Sequence, residues 1–151
     1  MARFCSTPPV AGAPGEVYTT LINPVMAIAT DELGYEYLFL AGCTSCVAGD
    51  AVTFDENGVT ALLTGNAVGP VAIATAACDA TTKWSWYGRK GTFAANFVAA
   101  SADNTAVGKE TTNGKLGDGR SAGDQIANCV ARGTTGPVQI YFPYVDDFQG
   151  A

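Results

Sequence analysis

Ala51-Val-Thr-Phe-Asp55, Glu56-Asn57-Gly58 and Val59-Thr-Ala-Leu-Leu63 follow one another without a break. Two short runs of apolar and β-branched residues flank an Asn-Gly pair. Asn and Gly tolerate the positive φ that a tight hairpin turn demands. The stretch therefore reads as a β-hairpin. Strong helix formers are scarce around it, and Gly, Thr and Val are plentiful, which fits strands better than helices.

Working outward gives more of the same. Upstream, Val17-Tyr-Thr-Thr-Leu-Ile22 reads as a strand closed by Asn23-Pro24, and Asp31-Glu-Leu-Gly34 as a turn. Tyr35-Glu-Tyr-Leu-Phe-Leu40 is strand-like, and alternation puts Tyr35, Tyr37 and Phe39 on one face. Downstream, Gly69-Pro70 opens the strand Val71-Ala-Ile-Ala-Thr75. Lys83-Trp-Ser-Trp-Tyr87 and Thr92-Phe-Ala-Ala-Asn-Phe-Val98 read as two strands. Gly88-Arg-Lys-Gly91 between them reads as a hairpin tip, with Arg89 and Lys90 as solubilising charges. Residues 101–123 are polar and Gly-rich, and read as a long mobile or partner-ordered loop with one short strand. Asp124–Val130 and Val138–Phe142 close the fold. The expectation is an all-β chain: a small β-sandwich or β-barrel over residues 17–151, with a long Gly-rich loop.

Residues 1–16 stand apart. Pro8, Pro9 and Pro14 remove ladder donors, and Val10 to Gly15 otherwise carry only Ala and Gly. The segment reads as an extended arm that adds little to the core. Phe4 and Val10 are its candidate anchors, and Arg3 is the only base before Lys83. Proline limits the conformers lost on docking, so such an arm suits contact with a neighbouring molecule.

The 151 residues suit one domain. Folding leaves roughly 7,200 Å² exposed, against about 22,500 Å² for the open chain. A core of that size needs no staples. Acids outnumber bases 14 to 8, for a net charge of −6. That disfavours nucleic acid, whose phosphates need a basic face, and anionic lipid for the same reason. Residues 1–78 hold seven acids and one base, whereas the remainder holds seven of each. No run of apolar residues is long enough to span a membrane, and no apolar leader segment is evident near Met1. The chain has no histidine. This removes Ser-His-Asp and Cys-His nucleophiles, His-ligated zinc, and histidine acid–base work.

The remaining candidates are sparse. Cys43-Thr-Ser-Cys46 has CxxC spacing, but its surroundings are not the strand-to-helix turn of a redox motif. Small buried or turn cysteines, a disulfide, and metal or redox chemistry are its three readings. Trp84 and Trp86 share one face of a strand, fit for the core, a protein interface, or the stacking of a sugar ring. Asp146-Asp147 point to opposite faces of an extended chain, which makes a poor chelate. Asp118 and Asp124 lack calcium-loop spacing, and Gly117-Asp-Gly119 lacks the strand-to-helix setting of a phosphate loop. The expectations are no enzyme activity, no cofactor and no bound metal.

The order of segments is informative. Ala48-Gly-Asp-Ala-Val-Thr-Phe-Asp55 leads to Gly58-Val-Thr-Ala-Leu-Leu63, Gly69-Pro-Val-Ala-Ile-Ala74 and Trp84-Ser-Trp-Tyr87. Thr111-Thr-Asn-Gly114, Gly123-Asp-Gln-Ile126 and Val138-Gln-Ile-Tyr-Phe-Pro143 complete the series. Over roughly residues 38–145 this resembles the capsid cement, or head decoration, proteins of tailed bacteriophages. The arm and the Cys43/Cys46 pair fall outside the resemblance. What it implies is a virion structural protein, made in the host bacterial cytoplasm and bound to the outer surface of the icosahedral head. It would bridge neighbouring major capsid proteins and associate with copies of itself, as a trimer or dimer. Arg3, Phe4, Val10, Trp84, Trp86 and Tyr87 are the expected capsid or subunit contacts. The alternative is a carbohydrate- or receptor-binding module of a virion that uses Trp84 and Trp86.

Overall fold

The β-branched and aromatic runs do form strands. The computed structural model describes residues 4–5, 10–118, 124–134 and 136–146, which contain eleven strands and no helix. They are β1 (Val17–Tyr18), β2 (Ile28–Thr30), β3 (Glu36–Ala41), β4 (Ala51–Phe54), β5 (Thr60–Leu62) and β6 (Gly69–Ala74). There follow β7 (Trp84–Ala94), β8 (Ala106–Lys109), β9 (Leu116–Asp118), β10 (Gln125–Ala131) and β11 (Pro137–Val145). All belong to one sheet, ordered β2-β3-β7-β6-β11-β10-β8-β9, with β4 and β5 beyond β6 and β1 beside β7. The fold is all-β and its strand pairs are antiparallel.

The hairpin that opened the reading is β4–β5, paired from Val52–Leu62 to Phe54–Thr60. Its turn is built on Asp55, whose Oδ1 accepts the backbone N–H groups of Asn57 and Val59 at 2.9 Å. Of the Asn-Gly pair, Gly58 alone takes a positive φ, +74°.

The predicted hairpin at Gly88–Gly91 does not form. β7 runs straight through it as a single strand of 11 residues. On one edge, β3 pairs with it from Trp84 to Lys90. On the other edge β6 takes Tyr87 and Gly88, and β11 takes Lys90 to Ala94. β6 and β11 then meet again at Pro70–Tyr144 and Gly69–Val145. The sheet thus forks at β7, and β6, β7 and β11 pair in a ring. The glycines serve packing here, not a turn. A Cβ on Gly88 would sit 2.5 Å from the Phe93 ring, and one on Gly91 2.5 Å from the Tyr35 ring. Those rings lie across the strand and meet at 5.5 Å with their planes tilted by 58°. Gly in a strand marks close approach as readily as a bend.

The fork makes two cores. The main one lies between the branches and includes Tyr37, Phe39, Ile73, Trp86, Val107 and Val138. The second covers the opposite face of β3, β4, β6 and β7 with Leu38, Leu40, Val52, Tyr87 and the cysteines 43, 46 and 78. β3 is covered on both faces, so Tyr37 to Leu40 are buried in succession. The folded chain exposes 7407 Å², close to the size expectation.

Two further expectations are corrected. Much of the Gly-rich stretch is an ordered hairpin, β8–β9, whose Val107 and Leu116 are fully buried; residues 119–123 lie outside the described part. The arm also belongs to its own domain where it is described. Phe4 bridges to Asp31 and packs its ring 4.7 Å from Trp86 and 5.5 Å from Tyr37. Ala11 exchanges two 2.9 Å hydrogen bonds with the Asn23 side chain, and its carbonyl accepts the Trp86 indole N–H at 3.3 Å. Proline removes ladder donors only. These contacts use carbonyls, a single amide and an aromatic ring instead.

Gly69 and Gly91 share a φ of +129°, but an added Cβ at Gly69 meets nothing within 4 Å. Gly69→Ala should cost about 1–2 kcal/mol from backbone strain alone. Gly91→Ala should cost about 1–3 kcal/mol more, from overpacking. A Tyr35→Ala background should erase that difference in urea denaturation. Equal costs in the native background would refute the ring-crossing account of β7.

Candidate interaction surface

β11 alternates until its middle and then loses step. Val138 and Ile140 are buried, Gln139 and Tyr141 exposed; Phe142 is exposed too, and Pro143 and Val145 are buried around an exposed Tyr144. The cause is a bulge. Cys129 pairs with Ile140 and Ala127 with Tyr144, so Asn128 alone faces residues 141–143. Asn128 has a φ of +58° and Phe142 one of +49°. Asn tolerates this region through its short polar side chain, whereas for a bulky aromatic it is a strained exception. The bulge shifts the phase of the strand and puts neighbouring aromatic residues on one side.

The result is an aromatic face at the fork. Tyr141, Phe142 and Tyr144 are 59%, 40% and 46% exposed. Tyr141 and Phe142 meet edge to face at 4.8 Å. The Arg89 guanidinium lies 4.8 Å over the Phe142 ring and the Lys90 ammonium 5.6 Å over Tyr141. Arg89 is fixed from behind by Glu36, to which its Nε donates at 2.8 Å. Beside Tyr141 runs a groove of about 450 Å³, lined by Leu33, Tyr35, Lys90, Val130 and Arg132 among others. Three of the chain's eight basic residues therefore border one aromatic surface. Tyr and Arg are the residues that most often anchor protein interfaces. Arg89 and Lys90 are thus part of this surface, not the tip of a hairpin.

The residues expected to make contacts are placed differently. Arg3 lies outside the described residues. Phe4 and Val10 pack against the main core of their own chain. Trp86 and Tyr87 are fully buried, one in each core. Neither offers surface to a partner, and Trp86 leaves no paired platform for a sugar; Trp84 is half-buried on the same core. Two indoles on one face did signal a shared environment, and β3 and the arm cover it. Asp146 is exposed and Asp147 lies outside the described residues; Asp118 ends β9 and Asp124 precedes β10. The reading missed Tyr141, Phe142 and Tyr144, although adjacent aromatics followed by Pro143 break alternation and mark a bulge.

Cys43, Cys46 and Cys78 gather around Tyr87 in the second core as free thiols, and Cys129 is free in the main core. The Tyr87 hydroxyl is buried among these thiols. The hydrogen bond between Cys46 and Cys43 lowers the Cys43 thiol below its usual range and raises that of Cys46, which burial lifts further. Burial raises Cys78, and pushes Cys129 up to about 12. Among the described residues no three metal-ligating side chains converge on a point that would hold an ion. Comparison with protein-family models, curated proteins and solved structures found no match.

The thiols set an alkaline limit. A raised group stays protonated when folded while the unfolded chain releases its proton, so its contribution is complete below about pH 8.5 and is lost above it. Cys46, Cys78 and Cys129 act in this sense, and Cys43 alone opposes them. The urea midpoint should therefore fall from about pH 8 to about pH 10, as unfolding free energy is lost at up to roughly 1.4 kcal/mol per pH unit for each uncompensated thiol. Cys129→Ala should lower stability but flatten that slope. A midpoint that holds steady or rises to about pH 10 would contradict these assignments.

Proposed function

We propose that the chain is a virion structural protein that binds the outside of an icosahedral phage head and cements neighbouring major capsid proteins. The aromatic face of β11 is its docking surface. The observation that carries this reading is Phe142, an exposed aromatic residue held at a φ of +49° between Tyr141 and Tyr144. Strain of that kind persists where the surrounding fold enforces it, and it clusters at sites of function. Asn or Gly would relax the position, and neither would present a ring.

The chemistry suits a protein partner. Exposed tyrosines and a braced arginine supply contact area at low entropic cost, and Lys90 and Arg132 add complementarity to an acidic patch. The stiff double-cored sheet suits a load-bearing bridge. The resemblance of the segment order to that of head decoration proteins supports the capsid as that partner. Copies of the chain would associate on the lattice as a trimer or dimer.

The test separates folding from docking. Phe142→Asn removes the ring and relieves the strain, so the melting temperature should change little, with stability within about 1 kcal/mol of the native chain. Binding to purified heads stripped of this protein should fall at least tenfold. Unchanged binding by the folded variant refutes the docking surface. Binding of the native chain to soluble glycans in place of heads would assign the same rings to sugar stacking and refute the cement role.

A further inference from the structure

A second site sits at the opposite end of β7 from the arm, where the strand has just ended. Asp50 precedes β4 and is 2% exposed. Its Oδ1 accepts the Lys115 ammonium at 2.6 Å and the Asn96 side-chain N–H at 2.8 Å, while its Oδ2 accepts the Val47 N–H at 3.1 Å. One carboxylate oxygen therefore touches both an amine and the nitrogen of a carboxamide. The carboxamide is oriented independently, because Asn96 Nδ2 also donates to the Ala48 carbonyl at 2.9 Å.

The backbone holds these groups together. Asn96 donates its N–H to Gly49, and its carbonyl accepts the N–H of Leu116, the residue after Lys115. Added Cβ atoms would lie 3.0 Å from Asn96 at Gly49 and 3.0 Å from Asp50 at Gly114, and both glycines have positive φ. Only bare backbone fits at these two positions, so the loops bring Asn96 and Asp50 close. Fixing an amine beside an acyl carbon replaces a bimolecular encounter with an intramolecular one, worth many orders of magnitude in rate.

We propose that Lys115 and Asn96 join in an intramolecular isopeptide bond, with Asp50 as the proton carrier. The Lys115 ammonium gives a proton to Asp50 Oδ1. The freed lone pair on Nζ attacks Asn96 Cγ, the carbon bonded to the nitrogen that the same oxygen touches. A C–N bond forms and the carbonyl electrons move to oxygen. Asp50 passes its proton to Nδ2, the Cγ–Nδ2 bond breaks as the carbonyl re-forms, and ammonia leaves. The second proton lost from Nζ departs with it as ammonium. Asp50 ends as it began, no oxidant is consumed, and the chain loses one positive charge. The new amide ties the segment after β7 to the β8–β9 hairpin. This inference is independent of the docking role.

Intact-mass spectrometry of the purified full chain is the test. The native chain should be lighter than its sequence mass by one ammonia. Trypsin should leave Lys115 uncut and yield peptide 91–109 joined to peptide 110–120. Lys115→Arg keeps a cation against Asp50 and should show the full sequence mass, with a lower melting temperature. Asn96→Ala should also show the full mass. Folded native chain at its full sequence mass, with Lys115 cleaved by trypsin, would overturn the proposal. Loss of one water instead would put the bond on Asp50 and overturn the role of Asn96.

Discussion

One strand serves two neighbours along the same edge, and the rest of the molecule follows from that. β7 gives Tyr87 and Gly88 to β6, then Lys90 to Ala94 to β11. The branches must diverge there, and the space between them becomes the main core. Two aromatic rings fill the branch point because Gly88 and Gly91 carry no side chain to obstruct them. Any other residue would push Phe93 or Tyr35 off the strand, and overpacking of this kind costs about 1–3 kcal/mol in a well-packed core. Ring closure between β6 and β11 then fixes how far the branches open.

The aromatic face of β11 is a product of the same geometry. β11 pairs with β7 up to Tyr141 and with β6 from Tyr144 onward. Its bulge lies between these points, where the strand changes partner. Phe142 is thus strained and exposed for a reason internal to the fold, and Arg89 stands over it and Lys90 over Tyr141 because β7 changes partner at the same level. Strand pairing holds this surface on both sides of the bulge. Rigid anchors lose little entropy on binding.

Legibility in the sequence tracks how local the cause is. The β4–β5 hairpin was readable because its turn is settled by Asp55 to Gly58, and alternation in Tyr35 to Leu40 gave β3 and one of its faces; burial of its second face depends on the cysteine-lined core that packs there. Gly88-Arg-Lys-Gly91 misled because a glycine beneath a distant ring and a glycine in a turn look alike in one dimension. The ring over Gly91 comes from Tyr35, far away in the chain. The arm misled for a related reason: Phe4 finds Trp86 and Tyr37 only after β3 and β7 pair. Trp84 and Trp86 stand out by size, yet among the described residues the exposed aromatics are Tyr141, Phe142 and Tyr144. Their exposure depends on a register shift against Asn128; adjacent aromatics before Pro143 break the alternation locally, but which residues turn outward is set by the pairing with β10.

The central claim is that the fork displays the β11 face to a capsid partner. Electron cryomicroscopy of phage heads carrying the protein tests it most directly. The account predicts density for the chain on the outer surface of the head, with Tyr141, Phe142 and Tyr144 buried against a major capsid protein. Those rings facing solvent while another face makes the contact, or heads that never carry the chain, would contradict it.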